Sequence, residues 1–117
     1  MAALQHVFFE GGNNIAIDMK AADNVGEDDL FLAEIRMHMP AVGGANTLYV
    51  KVDSDKGEHF DSILASQDMT AVADKVWKSS DLGNRIRAVD HVTITWVNAS
   101  AIAWGIEVIF RPVTELD

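Results

Sequence analysis

The densest group of possible metal ligands lies in one acidic segment, residues 53–61. Asp53, Asp55 and Gly57 follow a D-x-D-x-G spacing that resembles the start of a calcium loop, because hard cations prefer several converging oxygen ligands. The rest of an EF-hand loop does not follow: glycine stands at position 57 where a third oxygen ligand is needed, and Leu64 stands where a glutamate would close the site. We therefore predict a solvated loop between two strands.

Four histidines, which could also bind a metal, are spread along the chain at His6, His38, His59 and His91. No H-x-H or H-E-x-x-H spacing brings two of them together, so the metal-binding signature of a cupin-type jelly roll is missing. The pattern favours structural or surface histidines over a metal-dependent, cupin-like enzyme.

Other catalytic motifs are missing from the sequence as well. The chain contains no cysteine, no G-x-S-x-G turn and no glycine-rich phosphate loop followed by lysine. Glu34 and Glu107 could in principle form an acid and base pair of the glycosidase type, but any β-sandwich offers such pairs on its outer faces. The sequence therefore predicts no enzyme: no catalytic residue, no cofactor and no metal.

Aromatic side chains offer another kind of chemistry, because an exposed ring can stack on a sugar. Trp96 and Trp104 are in register with aliphatic residues of their own strands, and this favours a place in the core. Trp77 and Tyr49 lie apart from them and are the candidates for sugar stacking if the domain binds glycans.

The formal net charge is −9, from 18 acidic and 9 basic side chains. Such a surface repels nucleic-acid phosphates and anionic lipids, since it has no dense basic patch. No apolar run approaches the roughly 20 residues of a membrane helix, and the N-terminus lacks the basic start and apolar stretch of a signal peptide. We expect a protein that is made in a cytoplasm and has neither nucleic acid nor membrane as a partner.

Alternation of apolar and polar residues with a period of two predicts a series of short β-strands. They are expected at residues 4–9, 15–20, 31–39, 48–52, 60–65, 76–77, 86–89, 92–97 and 102–111, separated by turns and by an acidic loop at residues 23–29. Residues 48–52 are predicted to form a hairpin with the strand before them, and residues 92–97 a hairpin with the last strand. In residues 31–39, Phe31, Ala33 and Ile35 are expected on one face, with Leu32 and Glu34 on the other.

One segment departs from this alternation. Met69, Val72, Ala73 and Val76 have the spacing of one or two helical turns, and Ser66 or Asp68 could cap them. We therefore predict a short helical or irregular crossover at residues 66–74.

Together these elements predict an all-β fold, a two-sheet antiparallel β-sandwich with one short helical turn and a single domain over residues 1–117. A jelly roll is favoured by the number of strands, and an immunoglobulin-like sandwich without its disulfide is the alternative. A parallel α/β sheet is disfavoured because no crossover helices separate the strands.

Three segments resemble the jelly-roll head decoration (cement) proteins of tailed bacteriophages. They are EIRMH at residues 34–38, SQDMTAV at residues 66–72 and NASAIAWGIEV at residues 98–108. The resemblance covers about two-thirds of the chain and implies binding at the outer surface of a capsid, often as a homotrimer, with the major capsid protein as partner. It also implies assembly in the host cytoplasm.

The apolar N-terminal run is the predicted contact for an oligomer or a capsid, because it could add a strand to a neighbour's sheet edge. Its candidate interface residues are Leu4, Val7, Phe8 and Phe9, and the alternative is that residues 1–10 form a strand inside the domain. The leading hypothesis is thus a phage virion structural protein that stabilises the head. A glycan- or receptor-binding module is the second hypothesis.

Overall fold

Nine strands form where the sequence alternates, and the computed structural model describes them in residues 4–20, 29–82 and 85–112. The predicted acidic loop falls almost entirely outside the described residues. A 3-10 helix, Glu58–Phe60, and a short helix α1, Ser79–Leu82, lie between strands. The strands are β1 Gln5–Gly11, β2 Ile15–Lys20, β3 Leu30–His38, β4 Thr47–Asp53, β5 Ser62–Asp68, β6 Asp74–Lys78, β7 Arg85–Ile86, β8 His91–Trp96 and β9 Trp104–Pro112.

The strands make two antiparallel sheets. The five-stranded sheet has the order β1-β9-β3-β6, with β7 also paired to β3, and the four-stranded sheet has the order β2-β8-β4-β5. Four of the antiparallel pairs are nested along the chain: β1 with β9, β2 with β8, β3 with β6, and β4 with β5. An antiparallel ribbon that is rolled up in this way is a jelly roll, which confirms the predicted fold class.

The core lies between the inner faces of the two sheets. In β2, Ile15, Ile17 and Met19 are buried while Ala16 and Asp18 are exposed, as a period of two requires. The largest fully buried side chains include Phe110, Leu30, Leu32 and Ile35 of the facing sheet and Leu48 of the same sheet as β2. Burial of these apolar inner faces is the main stabilising term of the fold.

The predicted faces of β3 are wrong in its first half. The register between β3 and β9 shifts between Leu32 and Glu34, so Ala33 is an extra residue in a bulge. Leu32 is buried with Ile35, while Phe31 is only half-buried. A bulge changes the face on which the following side chains lie, and a strict alternation cannot anticipate it.

Both predicted hairpins are wrong as well. β3 and β4 lie in different sheets, and so do β8 and β9, because the chain crosses from one sheet to the other at these points. Trp96 and Trp104 are therefore not on neighbouring strands, although both are buried as predicted. The hairpin that does form joins β4 and β5.

The helical turn lies later in the chain than predicted. Residues 66–68 continue β5, and Met69 and Val72 are joined by a turn in which the Val72 amide donates to the Met69 carbonyl at 3.1 Å. Ala71 has φ 61°, which ends any helical continuation. The helix forms instead at Ser79–Leu82, with Leu82 buried. The described part of the chain has no helix whose length and apolar character would let it cross a bilayer.

Candidate functional site

The outer face of the five-stranded sheet holds an open groove of about 640 Å³. Phe8 on the edge strand β1 and Val76 on the opposite edge strand β6 form its apolar walls. Gly105 on β9 and Arg36 and His38 on β3 lie between them. We call this feature the groove.

Gly105 makes the floor of the groove. It lies opposite Glu10 on one side and His38 on the other, so the position faces outward in the middle of the sheet. A Cβ atom placed there would meet no atom within 4 Å. The strand therefore does not need glycine for its own packing, and the lack of a side chain leaves the floor open.

The walls of the groove expose apolar surface. Phe8 is 72% exposed and Val76 is 45% exposed. The rings of His6 and Phe8 are nearly parallel, 14° apart, with centroids separated by 6.5 Å. An exposed aromatic side chain that a neighbour holds in place loses little further freedom on binding, which suits a protein contact.

A network of paired charges lies along one side of the groove. His6 Nδ1 is 2.6 Å from Glu107 Oε2, and Arg36 bonds to Glu34 and lies 3.7 Å from the other oxygen of Glu107. The hydrogen bond to Glu34 raises the pKa of Arg36 above its ordinary value. Both glutamates therefore belong to one ion-pair network around Arg36. An apolar strip beside paired charges is compatible with the apolar centre and polar rim of a protein interface.

The four predicted interface residues divide between the two faces of β1. Leu4 is 54% exposed just before the strand, and Phe8 lies in the groove. Val7 and Phe9 are half-buried and pack against the core. Residues 5–11 thus form an edge strand of this sandwich, which is the alternative that the sequence left open.

The two candidates for sugar stacking lie in different environments. Trp77 is 3% exposed, with its indole in the core, so its faces are not open to a sugar ring. Tyr49 is half-buried on the outer face of the four-stranded sheet, and Lys51 Nζ lies 4.9 Å from its ring centroid. The structure does not bring the two rings together into a stacking platform, because β6 and β4 belong to different sheets.

The acidic segment is the connection between β4 and β5, as predicted, and its polar groups hold the turn together. Asp61 Oδ1 accepts the Ser54 amide at 2.7 Å, and Ser54 Oγ accepts the Lys56 amide at 3.1 Å. Within residues 4–20, 29–82 and 85–112, no three histidine or acidic side chains converge as metal ligands would.

Three of the four histidines each face a single carboxylate. His6 is paired with Glu107 as described, His38 Nδ1 bonds to Asp74 and His91 Nδ1 lies 2.5 Å from Asp18 Oδ1. These pairs join neighbouring strands on the outer faces of both sheets. The histidines therefore have a structural place on the surface.

A hydrogen-bonded carboxylate, Asp90, ties the β4–β5 connection to the segment before β8. Arg87 donates to both oxygens of Asp90, from Nε at 3.1 Å and from Nη2 at 2.8 Å, and the Asp55 amide donates to Oδ1 at 3.0 Å. Burial of Asp90 favours its neutral form, but these hydrogen bonds outweigh burial and hold the pKa of the carboxyl below its usual range.

We expect Asp90→Asn to lower the free energy of unfolding at pH 7 by about 1–3 kcal/mol, because an amide keeps only one acceptor oxygen, so the bond from Arg87 Nε is lost and an N–H group faces that donor. Because the pKa of Asp90 is depressed in the folded protein, the stabilisation by its carboxylate is fully present above the pKa of the unfolded chain, about 4. It is lost as the pH falls through the pKa of the folded protein. Urea denaturation of both proteins between pH 7 and pH 3 measures the difference. A difference in unfolding free energy that did not shrink in acid would contradict this expectation. The control is Asp53→Asn, which changes an exposed carboxylate.

Sequence patterns did not identify the groove. Its walls and floor come from four strands that are far apart in the chain, so no local spacing reveals it. The one local signal was Gly105, because glycine inside a strand pattern often marks a place that a ligand or another backbone approaches.

No protein-family model and no curated protein matches the chain. Among solved structures, it is similar to the PRD1 vertex protein P5, with a TM-score of 0.53 and 10% identity over 95% of this chain and 96% of that one. It is also similar to a chain of the acid-stable capsid of Helicobacter pylori bacteriophage KHP30, with a TM-score of 0.46, 13% identity and coverage of 95% and 87%. At 10% identity the likeness to the vertex protein shows the fold alone, and that fold is the jelly roll derived above from the strand order.

Proposed function

We propose that this chain is a structural protein of a phage virion, a decoration or cement protein that stabilises the head by protein–protein contacts. The observation that carries the proposal is the match to PRD1 vertex protein P5, which extends over nearly the whole of both chains with a TM-score of 0.53. That protein is a virion component. The proposed role is likewise structural and not enzymatic.

The charge of the chain supports an outward position. A formal charge of −9 on 117 residues repels packaged nucleic acid, so the outer surface of a shell is the favourable side. The proposed localisation is the outer capsid surface, after assembly in the host cytoplasm.

The groove is the proposed contact with the major capsid protein. Its walls expose Phe8 and Val76, while the charges beside it are already paired within the chain. A partner that covers the groove thus buries apolar surface without leaving a lone charge in the interface. Leu4 lies just before the strand that carries Phe8 and extends the same contact. We further propose that the chain is a homo-oligomer, with three copies as the resemblance implies.

The composition of purified particles tests this proposal. Particles from a culture that makes the chain are separated on a density gradient, labelled intact with an amine reagent that does not pass the shell, and analysed by mass spectrometry. We expect the chain in the particle fraction with label on its exposed lysines, such as Lys56 and Lys78. A chain that is missing from the particles, or is labelled only after they are opened, would contradict the virion role or the outer position respectively.

A further inference from the structure

The edge of β1 lacks the features that usually keep a sheet edge from pairing with another chain. Sheet edges are commonly protected by lysine, proline, bulges or short length. β1 is 7 residues long, contains no lysine, arginine or proline, and keeps an unbroken register with β9 along its whole length. In the part of the chain that the structure describes, no strand pairs with its outer edge.

The other three sheet edges carry such protection. β6 has 5 residues, contains Lys75 and Lys78, and runs straight into α1. β5 pairs with β4 through a register shift at Val50 and Lys51. β2 ends in Lys20. β1, in contrast, carries neither a lysine nor a break in its register.

We propose that β1 pairs in antiparallel fashion with β1 of a second copy of this chain, with Phe8 opposite Phe8 on a two-fold axis. In an antiparallel pair, residues that face each other point to the same side of the sheet. This register places His6 opposite Glu10, Val7 opposite Phe9 and Gln5 opposite Gly11. An imidazole thus faces a carboxylate, and apolar side chains face apolar ones, on both sides of the axis.

Neighbouring two-fold registers fit less well. An axis at Val7 places His6 opposite Phe8 and Gln5 opposite Phe9, and an axis at Phe9 places Phe8 opposite Glu10. Only the axis at Phe8 uses all 7 residues of β1 and pairs His6 with Glu10. The sequence of the strand is thus self-complementary at one register, and register is what a sheet edge must specify.

The two-fold contact uses the edge of the sheet and leaves its outer face open. The two grooves then lie side by side, with the Phe8 side chains at their junction. The contact closes at two copies, so it is separate from the three-fold contact of the proposed trimer. Where the two-fold and three-fold axes intersect, the two contacts together join two trimers into one closed assembly. The inference does not depend on the virion role.

Cysteine cross-linking tests this pairing directly, because the natural chain contains no cysteine. Facing Cα atoms in an antiparallel pair are roughly 4.5–5.5 Å apart, within the range that a disulfide spans. With oxidised glutathione as oxidant, Phe8→Cys is expected to form a disulfide-linked pair of chains at least about tenfold faster than a control variant, since pairing raises the local thiol concentration. The control is Val76→Cys, an exposed apolar position on the other edge of the same sheet.

A second prediction of the same register uses two further cysteine variants. His6→Cys alone is expected to cross-link slowly, whereas the double variant His6→Cys with Glu10→Cys is expected to cross-link as fast as Phe8→Cys. Equal rates for Phe8→Cys and Val76→Cys would overturn the proposal, and so would fast cross-linking of His6→Cys alone.

The mass in solution gives an independent readout. Phe8→Lys places like charges opposite each other on the axis, which opposes pairing. Light scattering at matched concentration is expected to give half the mass of the natural chain, whether that chain is a dimer or a pair of trimers. A mass that Phe8→Lys leaves unchanged would overturn the β1 contact, yet it would leave the virion role standing.

Discussion

Asn98→Ala is expected to lower the free energy of unfolding by about 2–4 kcal/mol, the largest loss among exchanges of polar side chains in this fold. Asn98 is 5% exposed and ties together two of the crossovers between the sheets. Its Nδ2 donates to the carbonyls of Asn13 at 3.2 Å and Ile102 at 2.8 Å, and its Oδ1 accepts the Ile102 amide at 3.1 Å. Alanine would leave the two backbone groups of Ile102 without this partner.

The neighbouring contacts explain why the loss would not be local. The backbone N–H of Asn98 donates to Asn14 Oδ1 at 2.8 Å, and Trp104 Nε1 donates to the Asn13 carbonyl at 2.8 Å. The turn after β1 and the turn before β9 are therefore one hydrogen-bonded unit. Urea denaturation of Asn98→Ala measures the loss, with Ser100→Ala, an exposed position on the same turn, as the control. Equal stability of the two variants would show that the Asn98 side chain does not hold these turns.

Gly105→Trp is expected to weaken binding to capsid shells by about 30-fold or more, because loss of a central interface contact costs about 2 kcal/mol or more. An indole on the floor of the groove occupies the space between Phe8 and Val76 that the partner would fill. Folding is expected to be unaffected, since a Cβ at Gly105 meets no atom within 4 Å.

The matched control for this variant is Gly12→Trp. A Cβ at Gly12 also meets no atom within 4 Å, but Gly12 lies on the turn after β1, outside the groove. Thermal melting of both variants checks folding, and co-sedimentation with shells checks binding. Equal loss of binding by both variants, or by neither, would remove the groove from the interface.

The strands themselves could be predicted because one face of each is buried. In β2 and β4, a large apolar residue stands at every second position, and each of these residues is buried. β3 shows the limit of this reasoning, since its bulge at Ala33 reverses the faces within the strand. A bulge depends on the register with β9, whose Phe110 and Ile109 pair with Leu32 and Glu34 from far along the chain, and no local pattern reports it.

Strand pairing could not be predicted for the same reason. Hairpins between consecutive strands are the usual arrangement, but here the chain crosses between sheets at residues 39–46 and 97–103. The crossing arrangement depends on buried contacts such as that of Gly43 with Trp96. A Cβ atom added at Gly43 would lie only 3.1 Å from the Trp96 ring. Those contacts exist only after the ribbon has been rolled up.

Only part of the candidate site could be predicted from the sequence. Phe8 and Leu4 were predicted as exposed contacts, and the structure places both of them at the surface. The sequence did not associate these two residues with Val76, Arg36 or Gly105. Their strands, β6, β3 and β9, share a sheet with β1 only because of the strand order, which no local pattern reports. A composition of paired charges around an apolar strip becomes visible only in three dimensions.

The most direct test of the proposed role is a titration of the natural chain onto shells assembled from the major capsid protein of the same virus. The pelleted fraction and the melting temperature of the shell are followed together. We predict that binding saturates at a fixed ratio of chain to capsid protein and that the shell melts at a higher temperature when it is saturated. A chain that stays in the supernatant at concentrations of about 100 μM, at which even weak specific contacts form, would contradict the role of a cement protein.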